Sequence, residues 1–422
     1  MRARWQAGGA AHAAAVAAVT LLAGLGVLAV LAVSLPLAFQ EEATSAAATA
    51  LTRPATETEA GAALEKAVAA LASGDEDAWR AALPASGDDA RQASSDLFQT
   101  LGHLPWTSLA PVVEPVPSQP GRFRVRLVGE LAGVGPADRL VADRVLQLEV
   151  LGEHVIVTGD LTPAALRRRY FMAYREPEAV QGRAAVVLTE ATERSVAEDL
   201  VAAEGAARDR LALLGIDPDR PVLLYLYASR KQLKDALAGG PRDRRFQFFS
   251  APAQRYSAAL WWPRDVNILA PALEGDDAWL SGLLAHELTH AFTVHWFAET
   301  KNDPMFLAEG LAVAVQGGRT YEPLRQELAG GNERVPLETA IAVGSLWIGN
   351  SDEEVQLAYL EAGSVVLYIL DAWGLDELKA WVTAVADSDL TPAGLGAATR
   401  ETLGVTWDEF VTGWTAYVQT LP

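Results

Sequence analysis

The sequence predicts a mixed α+β protein: an N-terminal transmembrane helix, a small α+β domain, and a second part whose mixed sheet leads into a mostly helical lobe. Three observations carry this. Ala13 to Phe39 contains no charged residue. Residues 61–165 read as helices followed by strictly alternating strands. Beyond residue 166, strand–helix–strand–helix order gives way to helices that continue to the end.

Composition bounds what such a chain can do. At 422 residues, 50% of them hydrophobic, it is long enough for two or three cores. The formal net charge of −20, with no basic patch that stands out, argues against a nucleic-acid partner. There is no cysteine, which excludes disulfides and thiolate metal sites. An exported domain would therefore be held by core burial alone.

The uncharged N-terminal run is long enough to cross a bilayer, which takes about 20 apolar residues. Arg2 and Arg4 precede it and Glu41 and Glu42 follow it. These charges predict a cytoplasmic N-terminus in a single-pass membrane protein, with the rest outside the cell membrane. The alternative is a secreted chain cleaved near the small residues Ala48–Ala50. Residues 43–60, small and threonine-rich, read as a linker after the 1–42 tip and anchor.

In 61–165 two amphipathic helices break at Ser73-Gly74-Asp75, and a proline-rich segment, Pro105–Pro120, interrupts. Phe123, Val125 and Leu127 alternate with Arg122, Arg124 and Arg126, and two more strands follow in "RVLQLEV" and "EHVIVTGDL". This element order is similar to the cone-shaped NTF2-like folds. In 166–422, "AAVVLT" and "PVLLYLYAS" read as strands around a long helix, "RKQLKDAL" as a helix, and "QRYSAALWWPRDVNILAP" as a hairpin or edge strands.

The chemistry concentrates in "LLAHELTHAFTVH", Leu283 to His295. Asp276 and Asp277 supply helix-start signals, and Trp279, Leu280, Leu283 and Leu284 an apolar face. Residues four apart share a helix face, so His286 and His290 can reach one ion, with Glu287 beside them. Two neutral imidazoles suit Zn²⁺, whose catalytic sites take three protein ligands and a water. Glu287 would be the general base. His295 lies about 140° around the helix from His290 and is poorly placed to bind. A third histidine in the metzincin position is missing, because Trp296 stands there and Thr293 replaces the glycine. Glu309, separated from His290 by eighteen residues, sits in the apolar run "DPMFLAEGLAVAV", where a carboxylate is costly unless paired or bound to metal. His103 and His154 stand alone and are assigned no role.

HELTH, the eighteen-residue gap and "FLAEGLA" resemble the gluzincin metalloproteases, in particular the peptidase MA-like group. Phe306 stands where that group usually has tryptophan. The resemblance covers roughly residues 180–420 and implies a thermolysin-like fold. It implies a hydrolase that cleaves peptide bonds with one Zn²⁺ per chain held by His286, His290 and Glu309, and Glu287 as general base. It also implies a tyrosine that hydrogen-bonds the oxyanion; "LAYLEAGSVVLYIL" makes Tyr359 the candidate and Tyr368 its rival. An edge strand beside the motif helix would hold the peptide or protein substrate, with Ser257–Trp262 or Val266–Leu269 available. The Gly-Ala-Met-Glu-Asn segment of related aminopeptidases is missing, which favours an endopeptidase. Further groups must orient the histidines; the sequence does not identify them, although Asp276, Asp277 and Asp303 are nearby in number. Two other readings stay open: an inactive zinc-binding envelope module that binds protein partners, and a structural zinc, which would want a fourth protein ligand.

Overall fold

The computed structural model describes residues 52–163, 170–237, 253–255, 266–270, 277–297, 300–302, 305–330, 336–343 and 352–422. The expected anchor, Ala13–Phe39, lies outside them, as do Ser257–Trp262, Asp276 and Asp303.

The described residues begin inside the expected linker. Strand β1 (Thr52–Pro54) pairs antiparallel with β4 (Val134–Leu151), and helix α1 (Glu57–Ala72) starts two residues later. The signal is a capping box: Thr56 Oγ1 accepts from the Glu59 N–H while the Glu59 carboxylate accepts from the Thr56 N–H. Helices α2 (Glu76–Ala82) and α3 (Asp88–Leu101) follow.

The proline-rich segment is not a mere interruption. Trp106–Pro115 forms strand β2, the edge of an antiparallel sheet ordered β1-β4-β3-β2, in which β3 is Arg122–Leu131; β5 (His154–Asp160) also pairs with β4. An edge strand tolerates Pro111 and Pro115 because one row of its N–H groups faces no partner. On β3, Phe123, Val125 and Leu127 are buried as the alternation predicts, against Leu64, Val68 and Leu71 of α1. Each such side chain contributes roughly 1.5–3 kcal/mol by leaving water. Their arginine neighbours pair across strands, Arg124 with Asp143 and Arg126 with Glu114.

The second sheet runs β6 (Pro177–Gln181), β7 (Ala185–Glu190), β8 (Val222–Tyr227), β10 (Val266–Leu269), β9 (Ala253–Arg255). Its three central strands are parallel and its two outer ones antiparallel. Both faces are covered. Val187, Leu224, Leu226 and Ile268 pack toward the helical lobe, whereas Val186, Leu188, Leu223, Tyr225 and Tyr227 belong to the core of the first sheet and its helices. Burial on two sides explains why "AAVVLT" and "PVLLYLY" read as unbroken apolar runs. It also means that the parts on either side of residue 165 share a wall.

The remaining helices are α4 (Arg194–Leu211), α5 (Arg230–Leu237), α6 (Asp277–Thr293), α7 (Met305–Gln316), α8 (Glu322–Gly330), α9 (Leu337–Val343), α10 (Asp352–Ala372), α11 (Leu375–Asp387), α12 (Pro392–Leu403) and α13 (Trp407–Val418). Helix α6 packs against α4 and α7, and α7 against α10. Among the described residues one stretch, Glu353–Ala372 in α10, is long and apolar enough to cross a membrane by length and composition. Its Ala362, Val365, Val366 and Ile369 are buried in the helical core.

Candidate metal centre

Helix α6 carries HELTH, and every residue from Leu284 to Thr293 is buried. The expected apolar face does not extend to the first turn. Trp279 is 38% exposed, while Leu280 and Leu284 are buried. From Leu284 onward the helix is enclosed on all sides, which accounts for its weak amphipathic pattern. Thr289 and Thr293 hide their hydroxyls by donating to the carbonyls of Ala285 and Thr289, both at 2.8 Å. Arg220 donates to the Phe292 carbonyl at 3.3 Å and its guanidinium lies over the Phe292 ring at 4.9 Å. Arg210 donates to Gln316 O and Ser281 Oγ, tying α4 to α6 and α7.

Helix α7 brings Glu309 to the histidines. Gly310, next to it, permits a close crossing with α10: a Cβ there would meet the Ala362 carbonyl oxygen at 2.6 Å. From the other side, a Cβ on Gly363 would meet Val313 Cγ1 at 2.5 Å. The two glycines let the helix backbones approach each other. Trp414 of α13 steadies α10 through a 2.9 Å bond to Ser364 Oγ.

Three donor atoms converge. His286 Nε2 and His290 Nε2 are 3.2 Å apart, and Glu309 Oε2 lies 3.2 Å from the first and 3.3 Å from the second. Donors on a tetrahedral ion with arms of about 2.0 Å stand about 3.3 Å from one another. Glu309 Oε2 is buried without a well-formed hydrogen bond despite its two close neighbours. A carboxylate oxygen so placed is costly unless a cation meets it. The cluster could therefore hold a metal ion, and its donor set of two nitrogens and one oxygen contains no sulfur.

The electrostatics are those of a closely coupled group. Burial alone would push the His286 imidazole down, but Glu309 and Glu287 outweigh it and raise it. Burial would push the Glu309 carboxyl up, yet the two imidazoles hold it well below the usual carboxylate range. Glu287 is buried beside them.

Tyr359 of α10 joins the site and Tyr368 does not. The Tyr359 ring is 6.4 Å from the His286 ring, centroid to centroid. Tyr368 packs against Trp373, Phe410 and Tyr417 at 5.2–5.5 Å. Burial, then the charges of Glu309 and Glu287, push the Tyr359 phenol well above its ordinary range, so it is a protonated donor at neutral pH. His295 is exposed on the turn Val294–Phe297, outside the cluster. His103 packs edge-on against Phe98 at 6.0 Å.

Of the two proposed substrate strands, Val266–Leu269 is excluded. It is β10, hydrogen-bonded on one side to β8 and on the other to β9, with no free edge. Asp277 is exposed at the start of α6. Sequence reasoning missed Arg319, whose guanidinium lies over the Tyr359 ring at 5.7 Å. Its only linear signal is the "GGR" that follows α7. No family model matches the chain, and no curated protein matches it.

Proposed function

We propose that the protein is a zinc-dependent peptidase of the gluzincin type, cleaving peptide bonds at His286, Glu287, His290, Glu309 and Tyr359. The observation that carries this reading is the trio of buried donor atoms at 3.2–3.3 Å with a second buried carboxylate, Glu287, adjoining the first histidine. The mixed sheet leading into helices agrees with the element order of that group. Two imidazoles and one carboxylate, without sulfur, suit Zn²⁺.

A zinc ion held there would polarise the scissile carbonyl and make a coordinated water acidic near neutral pH. The chain's own residues do the rest. Glu287 takes the proton from the attacking water and returns it to the leaving amine. Tyr359, kept protonated by its surroundings, donates to the oxygen on which negative charge develops. Burial excludes bulk water and strengthens both interactions. The flanking charges of Ala13–Phe39 support an anchored peptidase facing away from the cytoplasm.

The test is zinc content by elemental mass spectrometry on the full-length protein and its Glu309→Ala and Glu287→Ala variants, with hydrolysis of denatured casein measured in parallel. The expected result is near one zinc per chain in the wild type and Glu287→Ala, loss of zinc in Glu309→Ala, and hydrolysis by the wild type alone. A folded wild type that takes up no zinc sinks the reading. Zinc without hydrolysis favours a binding module instead.

A further inference from the structure

Arg319 links the end of α7 to α10 beside the metal cluster without a hydrogen bond to any carboxylate among the described residues. It follows α7 directly, after Gly317 and Gly318, whose φ values of +63° and +68° turn the chain back toward α10. The guanidinium is half-buried above the Tyr359 ring. Among the described residues, its hydrogen bonds run only to neutral amides: Nε and Nη2 to Gln316 Oε1 at 3.1 and 2.8 Å, and Nη1 to Gln356 Oε1 at 3.2 Å. Those contacts use three of the five N–H groups a guanidinium carries.

Among the described residues the two fully buried arginines take carboxylates, Arg208 from Glu204 and Arg144 from Asp160, whereas the half-buried Arg210 bonds, like Arg319, to neutral groups, Gln316 O and Ser281 Oγ. Carboxylates are plentiful, 54 Asp and Glu against 34 Lys and Arg, so the lack of a carboxylate hydrogen bond to Arg319 among the described residues is not a matter of supply. Two glutamine amides hold the fork in place, and Glu309 acts on its charge through space without a hydrogen bond to it. That is the arrangement of a receptor for an anion brought from outside, and a guanidinium fork matches a carboxylate two bonds at a time.

We propose that Arg319 anchors a carboxylate of the peptide substrate beside Tyr359 and the His286–His290–Glu309 cluster. The inference rests on the peptidase reading for the identity of the ligand. The carboxylate belongs either to the free C-terminus of the peptide or to an acidic side chain. Gln316 and Gln356 act as positioning residues that orient the guanidinium.

Binding can be read without turnover in the full-length Glu287→Gln protein loaded with zinc. Calorimetric titration would use an acetylated tetrapeptide as free acid, its C-terminal amide, and amidated forms with Glu or Gln in place of one residue. The expected result is binding of carboxylate-bearing peptides at least about tenfold tighter than of their neutral partners. Adding Arg319→Gln should remove that difference while leaving zinc content and the affinity for the neutral amide unchanged. A preference lost on amidation identifies the C-terminal carboxylate; one lost on Glu-to-Gln exchange identifies the side chain. Equal affinity for acid and amide, or a preference that survives Arg319→Gln, overturns the proposal even if wild type hydrolyses casein. Failure to bind any peptide, together with failure to hydrolyse casein, overturns this proposal and the peptidase reading together.

Discussion

Two buried charged clusters in this molecule use the same helical spacing and reach opposite ends. Glu204 and Arg208 on α4, four residues apart, form a closed group. The Glu204 carboxylate accepts from the backbone N–H groups of Arg183 and Ala184, each at 2.9 Å, and from Arg208. Arg208 also donates to the carbonyls of Ala184, Pro218 and Arg220 at 2.7–2.9 Å. His286 and His290 on α6, also four apart, meet Glu309 with three donor atoms crowded together and Glu309 Oε2 lacking a well-formed hydrogen bond. A satisfied ion pair pins the β7 and β8 ends to a helix. A buried convergence in which a carboxylate oxygen has no well-formed hydrogen bond could hold a metal ion. Burial alone does not separate structure from function; completeness of hydrogen bonding does.

The sharpest way to break the comparison is to remove the charge to which the proposed function assigns the proton transfers. Glu287→Gln keeps the volume and should keep the zinc, yet lower kcat by about 10³-fold, within the range of a lost general base. Full activity in a zinc-loaded Glu287→Gln protein removes the mechanism. Next in size is the closed cluster. Arg208→Ala leaves the Glu204 carboxylate buried and uncompensated, which should cost about 3–5 kcal/mol in a urea-unfolding experiment. Glu309→Gln, made in the metal-free protein and measured at pH 8, where the imidazoles are losing the charge that holds the carboxylate, should cost less, on the order of 1 kcal/mol. If the two substitutions cost the same without metal, the contrast between closed and open clusters fails.

Tyr359→Phe should lower kcat by about 10²-fold with KM little changed, as for loss of one oxyanion donor. Tyr368→Phe serves as the control, because its ring belongs to the Trp373–Phe410–Tyr417 cluster. Comparable losses in the two variants would remove Tyr359 from the mechanism.

What was legible in the sequence follows this division. The i,i+4 histidines and Glu309 could be paired on paper because helix periodicity is local and a lone acid in "FLAEGLAVAV" is conspicuous. Tyr359 came from the resemblance. Arg319 was hidden, since its place depends on two left-handed glycines and on how closely α10 crosses α7, a distance set by Gly310 and Gly363. Nothing local marks Glu204 and Arg208, which are spaced four apart like any helix pair; only tertiary packing buries them. Strand β2 was concealed by its own prolines, which an edge position tolerates. The expected linker concealed a capping box at Thr56 and Glu59, which was legible and went unread.

The smallest predicted effect is a slope. In the metal-free protein, Glu309 is depressed from its ordinary 4.5, so its contribution to stability is present above that pH and lost as pH falls. His286 is raised from its ordinary 6.5, so its contribution is complete below that pH and lost as pH rises through the raised value. The metal-free cluster is therefore most stabilising between about pH 4.5 and 6.5 and weakens toward pH 8, by at most about 1.4 kcal/mol per pH unit for one proton. Zinc reverses the sign, because protons compete with metal for the same nitrogens and that competition fades as pH rises. The Tm gap between zinc-loaded and chelated protein should widen from pH 6 to pH 8. Glu309→Gln removes the carboxylate that raises His286, and should flatten the slope of the chelated form. A chelated wild type whose Tm climbs over that range would show that the imidazoles are not coupled to Glu309, and the open cluster would lose its electrostatic basis.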